Sequence, residues 1–264
     1  MSSGIITLTT DFGLADSYVA QMKGVILGIN PAAVIVDVTH QVEVQNIAAG
    51  SAILNEMIDA FPPDAIHVAV IDPGVGSDRA LVAVETDQGR FVLPDNGLLS
   101  AIARRYPPGR IFRLTNRRFW RRTVSNTFHG RDILAPVAAH WSLGTSAAEF
   151  GEAQPSLVTL PLPTPTHDGE RMTGEILHID RFGNLVTSIE EAHLGGWSCE
   201  QLQVECNGQI VHGLKTHYAE VEPEALVALI GSSGRLEIAL RNGNAARELN
   251  ATVGARVQVR RHSP

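Results

Sequence analysis

The sequence predicts an α/β protein in two parts. The first is a layered α/β domain with a mostly parallel or mixed sheet, and the second is a small antiparallel β-barrel. Three observations carry this. Residues 1–153 alternate short apolar runs with segments of helical periodicity, the pattern of a sheet covered on both faces. The stretch 154–168 holds Pro155, Pro161, Pro163 and Pro165, which favour extended backbone and cannot continue a helix. Residues 169–264 then read as short strands and turns, the signature of a small barrel or sandwich. The expected layout is an N-terminal domain over 1–153, a linker over 154–168 and a C-terminal barrel over 169–264.

In chain order, Ile5-Ile6-Thr7-Leu8-Thr9 reads as a strand, and 16–29 as a helix with Val19, Met22, Val25, Ile26 and Ile29 at helical spacing. A second buried strand covers 34–37. Asn46 is a natural N-cap for a helix reaching Phe61. The run 66–71 is a third strand, and 81–85 with 91–93 form a hairpin turning at Asp87-Gln88-Gly89. A helix over 97–105, a strand over 110–114 and a helix over 132–141 complete the first domain. In the second, strands are expected over 174–179, 185–189, 202–206, 210–214, 226–230, 236–240 and 255–260. Asn207-Gly208 is a strong hairpin turn.

Composition narrows the function classes. The 264 residues carry a formal charge of −7, which disfavours a nucleic-acid partner, because a basic patch or stripe is that partner's footprint. Arg117-Arg118 and Arg121-Arg122 are read as exposed faces. No apolar run approaches the roughly 20 residues that span a bilayer, and the N-terminus lacks the regions of a signal peptide. Cys199 and Cys206, the two cysteines, fit neither a CxxC motif nor a zinc cluster. A cytoplasmic protein is the expectation.

Ligands of α/β sheets sit at the carboxyl ends of the strands. Here these ends carry Thr10-Asp11-Phe12-Gly13, Asp37-Val38-Thr39-His40, Asp72-Pro73-Gly74-Val75-Gly76-Ser77-Asp78-Arg79 and Pro94-Asp95-Asn96-Gly97. Any single Asp here could be a turn or cap residue; their recurrence points to a site along one edge. Asp-Phe-Gly lacks the other kinase motifs, and Gly74-Val75-Gly76 lacks the third glycine of a dinucleotide fingerprint. Those glycines read as room for a ligand. No Gly-x-Ser-x-Gly elbow and no His-Glu-x-x-His helix occurs. Further polar clusters are Phe128-His129-Gly130-Arg131-Asp132, Asp180-Arg181-Phe182-Gly183-Asn184 and Gly231-Ser232-Ser233-Gly234-Arg235. An aromatic face at Phe182 between Asp180 and Asn184 suits a nucleoside.

Taken in order from about residue 5 to 247, these motifs together with Leu236-Glu237-Ile238-Ala239 resemble the S-adenosylmethionine hydrolase family (SAM hydroxide adenosyltransferases), relatives of the SAM-dependent chlorinases and fluorinases. The resemblance implies a homotrimer with each substrate held between one subunit's N-terminal domain and a neighbour's C-terminal domain. It puts the catalytic set on Asp72, Arg79 and His129, and ribose binding on Asp11. It puts the base at Phe182 and Asn184 and the backbone near Asn242, and the methionine end at Asp16, Asp180 and Ser232-Ser233. Phe12 and Phe128, inside the same motifs, join the substrate-binding set. The resemblance implies no metal and no added cofactor. Within the superfamily it favours hydrolysis, because the halogenases lack the Asp/Arg/His set and the fluorinases' long extra loop has no room after Phe91–Asn96. The implied reaction is attack of an activated water at ribose C5′, giving adenosine and methionine. The competing readings are a chlorinase-like halogenase, a metal site on Asp11, Asp72 and His129, and a non-catalytic adenosyl-ligand-binding assembly protein.

Overall fold

The computed structural model describes residues 4–195 and 197–261. The chain divides into two compact units, the first ending at Pro161 and the second starting at Leu162.

The first unit is built on a six-stranded mixed sheet. Its strands are β1 (Ile5–Thr10), β2 (Val34–Thr39), β3 (Ile66–Val70), β4 (Leu81–Thr86), β5 (Gly89–Pro94) and β6 (Arg110–Arg113), in the order β2-β1-β3-β5-β4-β6. The first four strands of that order are parallel, while β4 runs antiparallel to both its neighbours. Helices α1 (Tyr18–Ile29), α2 (Ile47–Met57), α3 (Ser100–Arg105) and α4 (Ala135–Ser142) cover it. The strands alternate faces with period two. Val68, Val70, Ala83 and Val92 pack with Met22 and Ile26 of α1 and Val137 of α4. Ala69, Ile71, Val82, Val84 and Phe91 pack with Leu54 of α2 and Ile102 of α3. Burial on both faces is why these strands read as continuous apolar runs.

Helix starts follow their caps. The Asn46 side chain accepts from the Ala49 amide at 2.9 Å, which fixes the start of α2. The helix expected from Asp16 begins at Tyr18, and Ser17 makes no capping bond there. The helix expected from Gly97 begins at Ser100. The helix expected over 132–141 opens instead with a wide π turn, Gly130–Leu134, before α4.

The second unit is an antiparallel sheet curled nearly into a barrel. Its strands are β7 (Thr166–Asp168), β8 (Arg171–Ile179), β9 (Leu185–Glu190), β10 (Leu202–Cys206), β11 (Gln209–His212), β12 (Leu226–Ile230), β13 (Arg235–Leu240) and β14 (Arg256–Arg261), with the short helix α5 (Ala245–Glu248) before the last. β8 pairs with β14 over its first half and with β9 over its second, so one strand serves both halves of the curl. The Lys215 amide donates to the Ala228 carbonyl at 2.8 Å, bringing the chain after β11 against β12. Asn207 and Gly208 have φ of 47° and 81°, the geometry of a tight hairpin turn.

Parts of the stretch 154–168 are structured. Gln154 and Val158 are tied to Asp95, and β7 pairs with β8. Among the described residues no helix is long and apolar enough to cross a membrane.

Candidate active site

The site in the first unit follows from strand register. β1 and β3 are parallel neighbours with Thr10 opposite Val70. The residues that follow them, Asp11-Phe12 and Ile71-Asp72, therefore emerge side by side at the carboxyl edge of the sheet. A cleft of about 290 Å³ lies there, and Asp11, Phe12, Asp72, Phe128 and His129 all help line it.

Asp72 and Arg79 form a two-point ion pair. Arg79 Nε donates to Asp72 Oδ1 at 2.6 Å, and Nη2 donates to Oδ2. Such a fork-to-fork arrangement fixes both groups. Only 5% of the Asp72 side chain and 10% of the Arg79 side chain is exposed. The same Nη2 lies 3.0 Å from Nδ1 of His129. A guanidinium only donates, so Nδ1 accepts and the proton of the neutral ring sits on Nε2. His129 is held neutral: burial lowers its pKa first and the Arg79 charge lowers it further, against the opposing pull of Asp72 and Asp132. Arg79 is not among the residues that line this cleft; it lines a second cavity of about 290 Å³, which shares His129 with the first.

The loop carrying His129 is anchored by Asp132, which is fully buried. Its carboxylate accepts from Arg121 Nη1 at 2.9 Å, Arg131 Nε at 2.7 Å and the Ser125 amide at 2.8 Å. The π turn after His129 is the kind of helix irregularity found at functional sites. Phe128 stands edge-on to Phe12 and to Tyr18, with ring centroids 5.8 and 5.2 Å apart, and the Arg131 guanidinium lies 4.9 Å from its ring centre. Tyr18, which is not among the residues lining the cleft, packs behind it against both rings and carries no sequence signal beyond its place at the head of α1.

Two of the four acidic strand ends do not reach the cleft. Asp37 pairs with Lys23 and faces His40, and Asp95 holds Gln154 and Val158. Gly74 and Gly76 do not make room for a ligand. A Cβ at Gly76 would lie 2.7 Å from the Asn126 carbonyl, and one at Gly74 would lie 3.1 Å from Cδ of Arg79. The space belongs to the chain itself. The cleft also takes in Val44 and Gln45, which the strand-end rule missed because they precede a helix. Gln45 has a left-handed backbone, φ 63°, and its amide donates to Asp11 Oδ2 at 2.8 Å. Asp16 is exposed and is not among the lining residues.

In the second unit, Asp180 organises its own turn. Its Oδ1 accepts from the amides of Phe182 and Asn184, each at 2.8 Å, and Oδ2 accepts from Asn184 Nδ2 at 2.9 Å. Phe182, at the tip, is 74% exposed. The Gly183 carbonyl accepts from the Ala246 amide at 2.9 Å, which seats this turn against the one containing Asn242, itself left-handed at φ 60°. Ser232-Ser233 form the β12–β13 turn. Glu237, buried on β13, accepts from the Tyr218 hydroxyl at 2.6 Å, and that bond together with burial pushes Tyr218 up to about 12.

A cleft with an ionised cluster in its wall, aromatic rings beside it and carboxylates at adjacent strand ends defines an enzyme of small molecules. Residues 6–151 match the SAM hydroxide adenosyltransferase N-terminal domain, and residues 174–258 match its C-terminal domain; the chain belongs to that family. Proteins named (R)-S-adenosyl-L-methionine hydrolase from Salinispora tropica and Thermus thermophilus are 38% and 36% identical to it. The matches cover 96% and 95% of this chain and 97% of each relative. A fluorinase from an Actinoplanes species is 27% identical, over 72% of this chain and 73% of its own length. The crystal structure of an uncharacterized conserved protein from Thermotoga maritima superposes with a TM-score of 0.92 at 34% identity, covering 97% of this chain and all of that one.

Proposed function

We propose that this protein hydrolyses S-adenosyl-L-methionine to adenosine and L-methionine. The observation that carries the reading is the Arg79 guanidinium, shared between Asp72 and the Nδ1 of His129, two residues that line the cleft. It is supported by the family and by the hydrolase name of the full-length relatives. The relatives' name specifies the (R) configuration at sulfur, so the (R) epimer is the substrate to test first.

The chemistry is an in-line displacement. A water oxygen bonds to C5′ as the C5′–S bond breaks; that electron pair goes to sulfur, and methionine leaves as a neutral thioether. The leaving group needs no acid, so catalysis must improve the nucleophile. Nδ1 of His129 is engaged by Arg79 and Nε2 carries the ring proton, so His129 is suited to orienting the water oxygen by donation. Asp72 then takes the water proton and passes it to solvent, and Arg79 stabilises the developing oxyanion. Attack of hydroxide on a sulfonium destroys charge, so a dry site helps the step. No metal or added cofactor has a part in it.

Asp11 holds the ribose, with Phe12 and Phe128 as walls. Phe182 and Asn184, with the backbone near Asn242, hold the base. Asp16, Asp180 and Ser232-Ser233 take the methionine end. Asp180 spends three acceptor sites on its own turn, so its share is at most one further bond. The exposure of Phe182 suits a homotrimer in which this turn meets the cleft of a neighbouring subunit. The two unpaired cysteines, Cys199 and Cys206, suit the reducing cytoplasm.

Incubation with the two sulfonium epimers and oxygen-18 water tests the reading. The expected products are adenosine and methionine in equal amounts, with the label in the adenosine 5′-hydroxyl and the rate unchanged by a chelator. Methylthioadenosine as product, or 5′-chloroadenosine when chloride is added, would overturn it.

A further inference from the structure

The Asp37–His40 pair reaches no part of the cleft, yet a continuous polar chain links it to the turn that forms one wall. Lys23 Nζ donates to Asp37 Oδ2 at 2.6 Å. Asp37 Oδ1 lies 3.1 Å from His40 Nε2, an ion-pair distance without hydrogen-bond alignment. His40 Nδ1 and Thr10 Oγ1 are 2.9 Å apart, and Thr10 Oγ1 accepts from the Phe12 amide at 3.3 Å. The His40 carbonyl accepts from the Gly13 amide at 2.7 Å. His40 and Thr10 are only 4% and 0% exposed.

The Asp37 carboxylate only accepts, and beside Nε2 it favours the neutral ring that carries its proton there. Nδ1 then accepts the Thr10 hydroxyl hydrogen, while Thr10 Oγ1 accepts from the Phe12 amide. Asp37 thereby selects the tautomer, the tautomer aims the Thr10 hydroxyl, and Thr10 with the His40 carbonyl holds the backbone on both sides of Phe12. An apolar pair of similar shape would fill the space without desolvating polar groups. What the polar chain alone supplies is a fixed Asp11-Phe12-Gly13 turn.

We propose that His40 is a positioning residue that acts through Thr10 to set the Asp11 carboxylate against the ribose diol of the substrate. The inference rests on the reading of Asp11 as the ribose-binding group. Gln45 contributes from the other side, through its amide on Asp11 Oδ2. The diol is then recognised by a carboxylate whose angle is fixed from both flanks.

The test is calorimetric binding of adenosine and 2′,3′-dideoxyadenosine to the full-length protein and its Thr10→Val, His40→Ala and His40→Asn variants, each checked for an intact melting transition. Wild type should prefer adenosine by roughly tenfold or more, the scale of a charged hydrogen bond. Thr10→Val, nearly isosteric, and His40→Ala should reduce that preference to within roughly threefold while leaving dideoxyadenosine binding unchanged. His40→Asn, whose amide oxygen falls near the place of Nδ1, should restore most of it. A full preference retained in Thr10→Val, or equal weakening of both nucleosides in every variant, overturns the positioning role. Equal affinity of wild type for the two nucleosides would instead remove the ribose assignment of Asp11, and this inference with it.

Discussion

At the scale of single residues, the decisive detail is which His129 nitrogen is free. Arg79 donates to Nδ1, so protonating the ring both removes that acceptor and sets two cations side by side. Burial and the Arg79 charge already lower the His129 pKa from 6.5. The ring is therefore neutral above its lowered pKa and loses function as pH falls through it. The acid limb of kcat should have its midpoint below the ordinary histidine value of 6.5. His129→Asn keeps an acceptor near Arg79 but cannot titrate, so it should lower kcat roughly a hundredfold with little change in KM and abolish that limb. A midpoint above 6.5, or an unchanged limb in the variant, would show that another group controls it. Little of this was legible in the sequence. Asp72 and Arg79 are 7 residues apart and Arg79 and His129 are 50 apart, and no periodicity joins them. Resemblance singled out the three, while the tautomer and the shared guanidinium are facts of packing.

At the scale of elements, two loops must be held in register for that cluster to exist. The loop after β3 meets the loop before the π turn where Gly76 abuts the Asn126 carbonyl, as well as through Arg79 and His129. Gly76 has φ 83°, which a side chain adopts at a cost of about 1 kcal/mol. Gly76→Ala adds a backbone clash to that cost and should separate Arg79 from His129, lowering kcat by roughly tenfold or more. Gly208 provides the comparison, with φ 81° and nothing within 4 Å of an added Cβ. Gly208→Ala should lower the melting temperature by a few degrees and leave kcat at the wild-type value. Equal kcat in the two variants would mean that the Gly76 contact does not set the register. In the sequence these glycines look like space for a ligand, because the turn is legible there and the neighbouring loop that fills it is not. The strands are more legible. β3, β4 and β5 are buried on both faces, and their apolar runs announce this directly. Absent from that pattern are β7 and α5, of three and four residues, because each is barely longer than one period and leaves no repeat to read.

At the scale of the whole molecule, the titrating groups are unevenly distributed. His67, enclosed between Phe61 and Phe91, is fully buried, and burial lowers its pKa from 6.5 to about 4. Its Nδ1 bonds Thr7 Oγ1 at 2.9 Å. His129 and His140 are lowered as well, each by burial first. All three belong to the first unit. In the second unit, the shifts of Cys206 and Tyr218 are upward from already high values. The unfolded chain binds protons at these histidines near pH 6.5, whereas the folded chain does not. Their contribution to stability is therefore complete above pH 6.5 and is lost as pH falls through their lowered folded values. For His67 alone, the interval from 6.5 to about 4 corresponds to roughly 3 kcal/mol, a large part of the stability of one domain. Acid should thus loosen the first unit before the second. Hydrogen exchange on the full-length protein, followed by peptide mapping from about pH 7 to about pH 5 with correction for the intrinsic rate, should show protection falling first in β1, β3 and β5. Protection in β10, β13 and β14 should persist over the same range. His67→Met fills the site without a titrating group, and it should flatten the acid dependence of the first unit even if it lowers its stability at neutral pH. Simultaneous loss of protection in both units, or an unchanged pH slope in His67→Met, would show that the buried histidine is not the origin of the acid sensitivity.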